Sequence, residues 1–136
     1  MLRRTEHAVY DLKYHLVWAP KYRKSLLVGA IEKRLREIFR EIAFHHGLEI
    51  VELELMPDHV HLFVEAPPKW APGRIVGTFK AVSAEVLFRE FPELRRKLWG
   101  GHLWGAGYHA GSVGDKVTTE IIKRYIRHQR QLTIRW

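Results

Sequence analysis

Two histidines in a predicted strand are the residues of this chain whose type and spacing most clearly suggest chemistry. His59 and His61 are one residue apart within the apolar segment 53–64. Side chains alternate along a strand with a period of two, so both imidazoles would project from the same face. Two imidazoles directed at one point suit a divalent metal ion, although a lone histidine on a strand is more often an ordinary core or surface residue.

The last predicted helix, residues 116–131, carries two further candidates. Its isoleucines, Tyr125 and Gln129 fall on one side, and its lysines and arginines fall on the other. Tyr125 and Gln129 are four residues apart, so they lie on adjacent turns of the inward side. The Gln129 carbonyl oxygen could complete a coordination sphere begun by His59 and His61. The alternatives are a packing tyrosine and a hydrogen-bonded amide near the helix end.

The composition favours a nucleic-acid partner. The chain has 136 residues, with 23 Lys and Arg against 15 Asp and Glu, a net charge of +8, and no cysteine. Such a basic balance favours a polyanion, with nucleic acid first and an acidic membrane surface second. Without cysteine there is no thiolate nucleophile and no cysteine-based zinc site. We find no apolar run near the roughly 20 residues of a membrane span and no signal-peptide pattern, so we expect a cytoplasmic protein.

Hydrophobic periodicity predicts the elements that must position these residues. The predicted strands are 9–18, 49–56, 59–66 and 108–113, and the predicted helices are 28–46, 74–90 and 116–131. Pro57 and Asp58 form a short turn, which predicts a hairpin between the second and third strands. Gly47 is predicted to end the first helix. The second helix is predicted to face the core with five apolar residues, namely Ile75, Phe79, Val82, Val86 and Leu87.

The order of these elements predicts an α+β fold. The first six match a ferredoxin-like or RRM-like arrangement, in which an antiparallel sheet is covered by two helices on one face. The last helix, which carries Tyr125, is an addition to that arrangement. We predict one domain over residues 1–136, with its core at about 8–114 and the C-terminal helix at about 115–131.

Six short motifs occur along the chain: HLVW at 15–18, KYRK at 21–24, PDHVHL at 57–62, GAGY at 105–108, GSVG at 111–114 and YIRHQ at 125–129. In this order they resemble the motifs of the single-tyrosine, HUH-type transposases of the IS200/IS605 insertion-sequence family. The similarity covers nearly the whole chain.

The resemblance implies a mechanism. Tyr125 would be the nucleophile that attacks a phosphodiester of single-stranded DNA, forming a 5′-phosphotyrosine link and a free 3′-hydroxyl. His59, His61 and Gln129 would hold a divalent metal, Mg²⁺ or Mn²⁺, that polarises the scissile phosphate. Asp58 would either orient a histidine as a hydrogen-bond acceptor or serve the hairpin turn.

The resemblance also implies partners. The substrate would be single-stranded transposon ends folded into hairpins, and the protein would act at the nucleoid of a prokaryotic cell. The chain would form a homodimer in which the tyrosine helix of one protomer docks against the histidine pair of the other. The expected DNA contacts are basic and aromatic residues near the first strand, namely Lys13, Trp18, Lys21, Tyr22, Arg23 and Lys24.

Two other functions compete with this interpretation. A domesticated relative would process repeated hairpins rather than move an element. A non-catalytic RRM-like module would use aromatic residues of its sheet to stack unpaired bases. The third predicted strand presents His59, His61 and Phe63, so we favour the enzyme.

Overall fold

The computed structural model describes residues 2–4, 9–98, 101–113 and 124. Six strands are described: β1 (Arg3–Arg4), β2 (Val9–Tyr10), β3 (Lys13–Trp18), β4 (Glu49–Met56), β5 (His59–Glu65) and β6 (His109–Val113). Three helices are described: α1 (Gly29–His46), α2 (Pro72–Glu90) and α3 (Glu93–Lys97). Tyr125 and Gln129 lie outside the described residues, whereas Arg124 is helical and exposed, as its place on the basic side of the last helix predicts.

The main sheet confirms the predicted ferredoxin-like arrangement. Its strands are ordered β4-β5-β3-β6, and every neighbouring pair is antiparallel. The hairpin of β4 and β5 forms as predicted, with Pro57 and Asp58 as the turn between strands of 8 and 7 residues. Gly47 ends α1 in the left-handed conformation, with φ of 67°.

The predicted first strand, 9–18, is divided in the structure. Val9 and Tyr10 pair with Arg3 and Arg4 in a separate two-stranded sheet, and only Lys13–Trp18 joins the main sheet. Valine and tyrosine, both typical of strands, occur in both parts of this segment. The division therefore depends on a pairing with the N-terminal residues that local composition does not reveal.

Helices α1 and α2 pack on one face of the sheet and enclose the main core. Trp18 is at its centre, with its ring 5.8 Å from Phe39, 6.5 Å from Phe79 and 6.0 Å from Trp104 between centroids. Its exposed fraction is 0%. The prediction that Trp18 contacts DNA is therefore wrong, because a fully buried indole cannot stack on a base.

The core side of α2 also differs from the prediction at one position. Val82 is exposed, and Ser83 is buried between the core residues Phe79 and Leu87. Ser83 fits there because its hydroxyl donates to the Phe79 carbonyl oxygen and accepts a hydrogen bond of 2.9 Å from Trp104 Nε1. None of the described helices is long and apolar enough to cross a membrane.

Candidate active site

The two faces of β5 have different roles. Val60, Leu62 and Val64 point into the core beneath the helices. His59, His61 and Phe63 alternate with them and so project from the other face of the sheet. Every residue of β5 is buried, so the histidines lie in a poorly hydrated setting on a central strand.

The structure brings the predicted histidine pair together. The ring centroids of His59 and His61 are 5.0 Å apart, with the ring planes inclined at 77°. Each residue is 1% exposed. Nε2 of His61 is buried and has no hydrogen-bond partner among the described residues. A buried nitrogen of this kind is a suitable ligand for a metal ion.

Asp58 makes the contact that the sequence suggested as one of two roles. Its Oδ1 lies 2.7 Å from Nδ1 of His59, and its Oδ2 accepts a hydrogen bond of 3.2 Å from Nη2 of Arg23. A carboxylate oxygen only accepts hydrogen bonds, so Nδ1 of His59 carries the proton that Asp58 accepts. Asp58 also lies in the β4–β5 turn, so its position is compatible with either suggested role.

His15 is a residue of the site that the sequence interpretation missed. Its Nε2 lies 3.1 Å from Nδ1 of His61, and the two rings stack with centroids 5.3 Å apart and planes 11° from parallel. The contact crosses from β3 to β5, where His61 is opposite Val17 in the register. The only local signal was that His15 and Val17 share a face of their strand. The identity of the opposing residue depends on the strand register.

Two other titratable residues surround the pair. Glu54 on β4 is directly opposite His61 and is buried. His109 on β6 approaches His15 edge-on, with ring centroids 6.4 Å apart. Neither was singled out from the sequence. The pairing of β4 with β5 and of β6 with β3 is what brings Glu54 and His109 close to the other histidines.

Burial keeps the central imidazoles neutral. Burial and then repulsion from His109 lower the pKa of His15 to about 4. Burial, followed by repulsion from His15 and His59, lowers the pKa of His61 to about 3. A neutral imidazole offers the lone pair of whichever ring nitrogen lacks the proton, so the donor chemistry fits a divalent ion. Within the described ranges, no group of three or more His, Asp or Glu residues could hold a metal by itself.

The remaining residues proposed for DNA contact divide into two groups. Lys13 is paired with Asp11, and its amine lies 3.5 Å from a Glu65 oxygen. Its side chain is 10% exposed, so its charge is directed at these two carboxylates and not at solvent. Lys21–Arg23 form a short 3-10 turn, from which Tyr22 is 63% exposed. Lys24 donates a hydrogen bond to the Lys97 carbonyl oxygen. The structure therefore supports an exposed position for the turn and not for Lys13 or Trp18.

The chain is similar to known transposases along most of its length. A family model described as IS200-like transposase matches residues 8–129. The chain is 43% identical over 121 residues to the ISDra2 transposase TnpA of Deinococcus radiodurans, a match that covers 89% of this chain and 86% of that protein. It is 33% identical over 123 residues to the transposase of the insertion sequence IS200 of Salmonella typhimurium, covering 90% and 80%.

Solved structures agree with these relatives. A crystal structure of a Deinococcus radiodurans R1 protein described as a transposase matches with a TM-score of 0.75 and 40% identity, covering 93% of this chain and 97% of that one. A REP-associated tyrosine transposase bound to a REP hairpin has the same fold, with a TM-score of 0.66 at 13% identity, covering 96% and 76%. This chain therefore belongs to the IS200-like transposase family, whose members cleave and transfer DNA strands and in general depend on a metal ion.

Proposed function

We propose that this transposase cleaves and rejoins single-stranded DNA at the hairpin-containing ends of an insertion sequence, with Tyr125 as its nucleophile. The main supporting observation is the buried His59–His61 pair on β5, in which each ring has a hydrogen-bonding neighbour at Nδ1. This arrangement directs Nε2 of each ring away from its supporting residue. The sequence similarity along residues 8–129 includes Tyr125 and Gln129.

His59, His61 and Gln129 would hold the divalent ion, Mg²⁺ or Mn²⁺. When bound there, the ion would supply Lewis-acid stabilisation of the charge that develops on the scissile phosphate. Imidazole ligands favour Mn²⁺ in intrinsic affinity, whereas phosphate chemistry suits either ion. Asp58 acts as a positioning residue, because its carboxylate holds the His59 ring through Nδ1.

His15 has the corresponding role for His61. In our proposal, Nδ1–H of His61 donates to Nε2 of His15, which places the His61 lone pair on Nε2. If His15 donated instead, neutral His61 would carry its proton on Nε2 and could not coordinate through that atom. His15 therefore selects the tautomer of His61 that can bind a cation.

Tyr125 then carries the covalent step. Its phenol oxygen bonds to phosphorus as the phenolic proton departs, the bond from phosphorus to the 3′-oxygen breaks, and that oxygen leaves as a 3′-hydroxyl after taking up a proton. Attack by a 3′-hydroxyl on the phosphotyrosine reverses these changes and releases Tyr125, so rejoining needs no external energy source. A free phenol has a pKa of about 10, so its deprotonation must be assisted during the attack.

The partners follow from the same proposal. The substrate is a single-stranded DNA hairpin, by analogy with the REP hairpin in the structurally similar transposase. The active form is a homodimer in which the tyrosine helix of one protomer docks against the histidine pair of its partner. It acts in the cytoplasm at the nucleoid. A domesticated hairpin-processing nuclease would use the same residues on a fixed repeat.

The structure gives less support to a non-catalytic RRM-like module. Such a module stacks bases on exposed aromatic residues of its central strands. Phe63, the aromatic residue on the histidine face of β5, has an exposed fraction of 0%. It cannot act as a stacking platform.

A denaturing gel tests the proposed function. Labelled single-stranded hairpin DNA, incubated with the protein and Mg²⁺ or Mn²⁺, should give a covalent protein–DNA adduct. Tyr125→Phe should abolish the adduct and retain DNA binding, whereas Tyr10→Phe, which removes a phenol from the short N-terminal sheet, should retain both. An adduct that persists in Tyr125→Phe would show that another residue is the nucleophile.

A further inference from the structure

A cleft of about 320 Å³ lies between the Lys21–Arg23 turn and the glycine-rich segment before β6. The exposed rings of Tyr22 and Tyr108 both line it, with exposed fractions of 63% and 47%. Arg23 also lines it and links it to the histidine pair, because Arg23 pairs with Asp58, which contacts His59. We propose that this cleft binds one unpaired base of the single-stranded DNA substrate, stacked against Tyr22 and Tyr108.

A backbone hydrogen bond joins the two walls of the cleft, and the Lys80 side chain holds the glycine-rich wall. Gly105 N–H donates to the Ala19 carbonyl oxygen at 2.9 Å. Lys80 Nζ donates to the carbonyl oxygens of Gly105 at 2.8 Å and Gly107 at 3.1 Å. These contacts hold the glycine-rich segment against the end of β3 and the first half of α2. The cleft is thus a formed site, which lowers the entropic cost of binding.

The turn that presents Tyr22 is strained. Tyr22 and Arg23 have φ of 62° and 50°, and they are the only non-glycine residues with positive φ in the described part of the chain. Side chains with a Cβ adopt this region at a cost in free energy, and such residues are concentrated at ligand-binding and catalytic sites. Here the unusual backbone directs an aromatic ring into solvent beside the cleft instead of into the core.

The chemistry of the cleft matches a nucleotide in an unpaired strand. Aromatic rings stack on the flat face of any base, and adjacent cations attract the phosphates that flank it. Lys21 supplies such a cation, with Nζ 5.4 Å from the centre of the Tyr22 ring. This inference rests on the proposed action on single-stranded DNA, and it adds a base subsite to that function.

Gly73 in α2 gives a way to move Tyr108 without replacing it. A Cβ atom at position 73 would lie 2.8 Å from the Tyr108 hydroxyl and 3.8 Å from its Cζ. Gly73→Ala must therefore displace the end of this ring. Adding Tyr108→Phe removes the hydroxyl and leaves room for the new methyl group. Alanine is also the better helix former, so the helix itself should tolerate the change.

The test compares binding of fluorescent oligothymidylate with that of an abasic probe of equal length. Tyr22→Leu and Tyr108→Leu should weaken oligothymidylate binding by about 5- to 100-fold, the range expected for one lost stacking interaction. Their affinity for the abasic probe should stay within about twofold of wild type, because phosphate contacts remain. Phe44→Leu, which alters an 83% exposed aromatic residue outside the cleft, is the matched control and should change neither affinity.

The Gly73→Ala variant provides a second measurement. It should weaken oligothymidylate binding, and the double variant Gly73→Ala/Tyr108→Phe should restore the affinity. Thermal melting of each variant checks that it is folded. Photocrosslinking of an oligothymidylate that carries one 5-iodouracil should label Tyr22 or Tyr108 in the wild-type protein.

The base subsite is overturned if folded Tyr22→Leu and Tyr108→Leu bind oligothymidylate as Phe44→Leu does, or if the crosslinks map elsewhere. Failure of the nuclease proposal has a different signature. In that case the wild-type protein forms no adduct with hairpin DNA, while the two leucine variants still lose affinity for oligothymidylate and keep their affinity for the abasic probe.

Discussion

Nε2 of His15 lies 3.1 Å from Nδ1 of His61, across the neighbouring strands β3 and β5. The two ring planes are 11° from parallel, which suits a hydrogen bond between the ring nitrogens. Both imidazoles are neutral near pH 7, and one proton therefore lies between the two nitrogens. The location of that proton decides whether His61 can coordinate a cation through Nε2.

Replacing His15 should weaken metal binding without removing a ligand. His15→Leu deletes the acceptor for Nδ1–H of His61, and we expect Mn²⁺ affinity to fall by about 10- to 100-fold. His15→Gln should retain part of the affinity, because its carbonyl oxygen can accept the same proton. Titration calorimetry measures the affinity, and ¹⁵N NMR of the imidazoles reports the His61 tautomer. Unchanged affinity and tautomer in a folded His15→Leu protein would contradict this role.

Removing a metal ligand should separate cleavage from binding. His61→Ala, or EDTA added to the wild-type protein, should stop cleavage of hairpin DNA and leave most of the DNA affinity. The reason is that His61 would hold the ion that acts on the reacting phosphate, whereas affinity comes mainly from contacts to the DNA backbone. The control is His45→Ala, which changes an exposed histidine of α1. This variant should cleave hairpin DNA as the wild-type protein does. Cleavage that survives both EDTA and His61→Ala would exclude a metal from the reaction.

Asp58 should matter for metal affinity because it holds His59. Asp58→Ala removes the acceptor of Nδ1–H and the partner of Arg23. We expect an approximately 10- to 100-fold loss of Mn²⁺ affinity, measured by calorimetry. Glu85→Gln, which neutralises an exposed acid on α2, serves as the control for lost negative charge. Equal Mn²⁺ affinities in Asp58→Ala and Glu85→Gln would show that Asp58 does not support metal binding and has only a structural role in the turn.

The metal-free protein should lose stability in acid. Burial lowers the pKa of His15 to about 4 and that of His61 to about 3, below the usual value of 6.5 that applies after unfolding. Between these values the unfolded chain binds more protons, so stability is unchanged above about pH 6.5 and falls as the pH drops towards 4.

Urea unfolding in EDTA at pH 7.5 and pH 5 measures this loss. By linkage, each of the two histidines should contribute about 2 kcal/mol at pH 5. The neighbours Glu54, His59 and His109 are retained in every variant, and the loss should shrink in His15→Gln but not in His45→Gln. Equal acid sensitivity in all three proteins would show that His15 is not responsible.

The Ser83–Trp104 hydrogen bond should stabilise the fold. Ser83→Ala leaves the buried Trp104 Nε1–H without its 2.9 Å acceptor. An unsatisfied buried donor costs about 1–3 kcal/mol in the free energy of unfolding. Ser112→Ala, at an exposed position of β6, should cost much less. Urea denaturation of both variants makes the comparison, and equal stabilities would contradict the assignment.

Elements with strong local signals were predicted closely. The helix 28–46 with its Gly47 stop and the hairpin around Pro57-Asp58 match α1, β4 and β5 within one residue. The errors were at positions decided by distant partners. Trp18 was predicted to contact DNA, but the helices bury it. Val82 was predicted on the core side of α2, but Ser83 is buried there because Trp104 donates a hydrogen bond to its hydroxyl.

The candidate site shows the same division. The alternation of a strand was enough to place His59 and His61 on one face, because that property depends only on the chain's own geometry. The tertiary structure added His15, which is 46 residues from His61 in sequence, and the contact of Arg23 with Asp58, which is 35 residues away. Strand register and the path of a turn bring these groups together, and neither is encoded in a short stretch of residues. Local spacing thus identified the histidine pair, and packing decided which neighbours contact and orient its two rings.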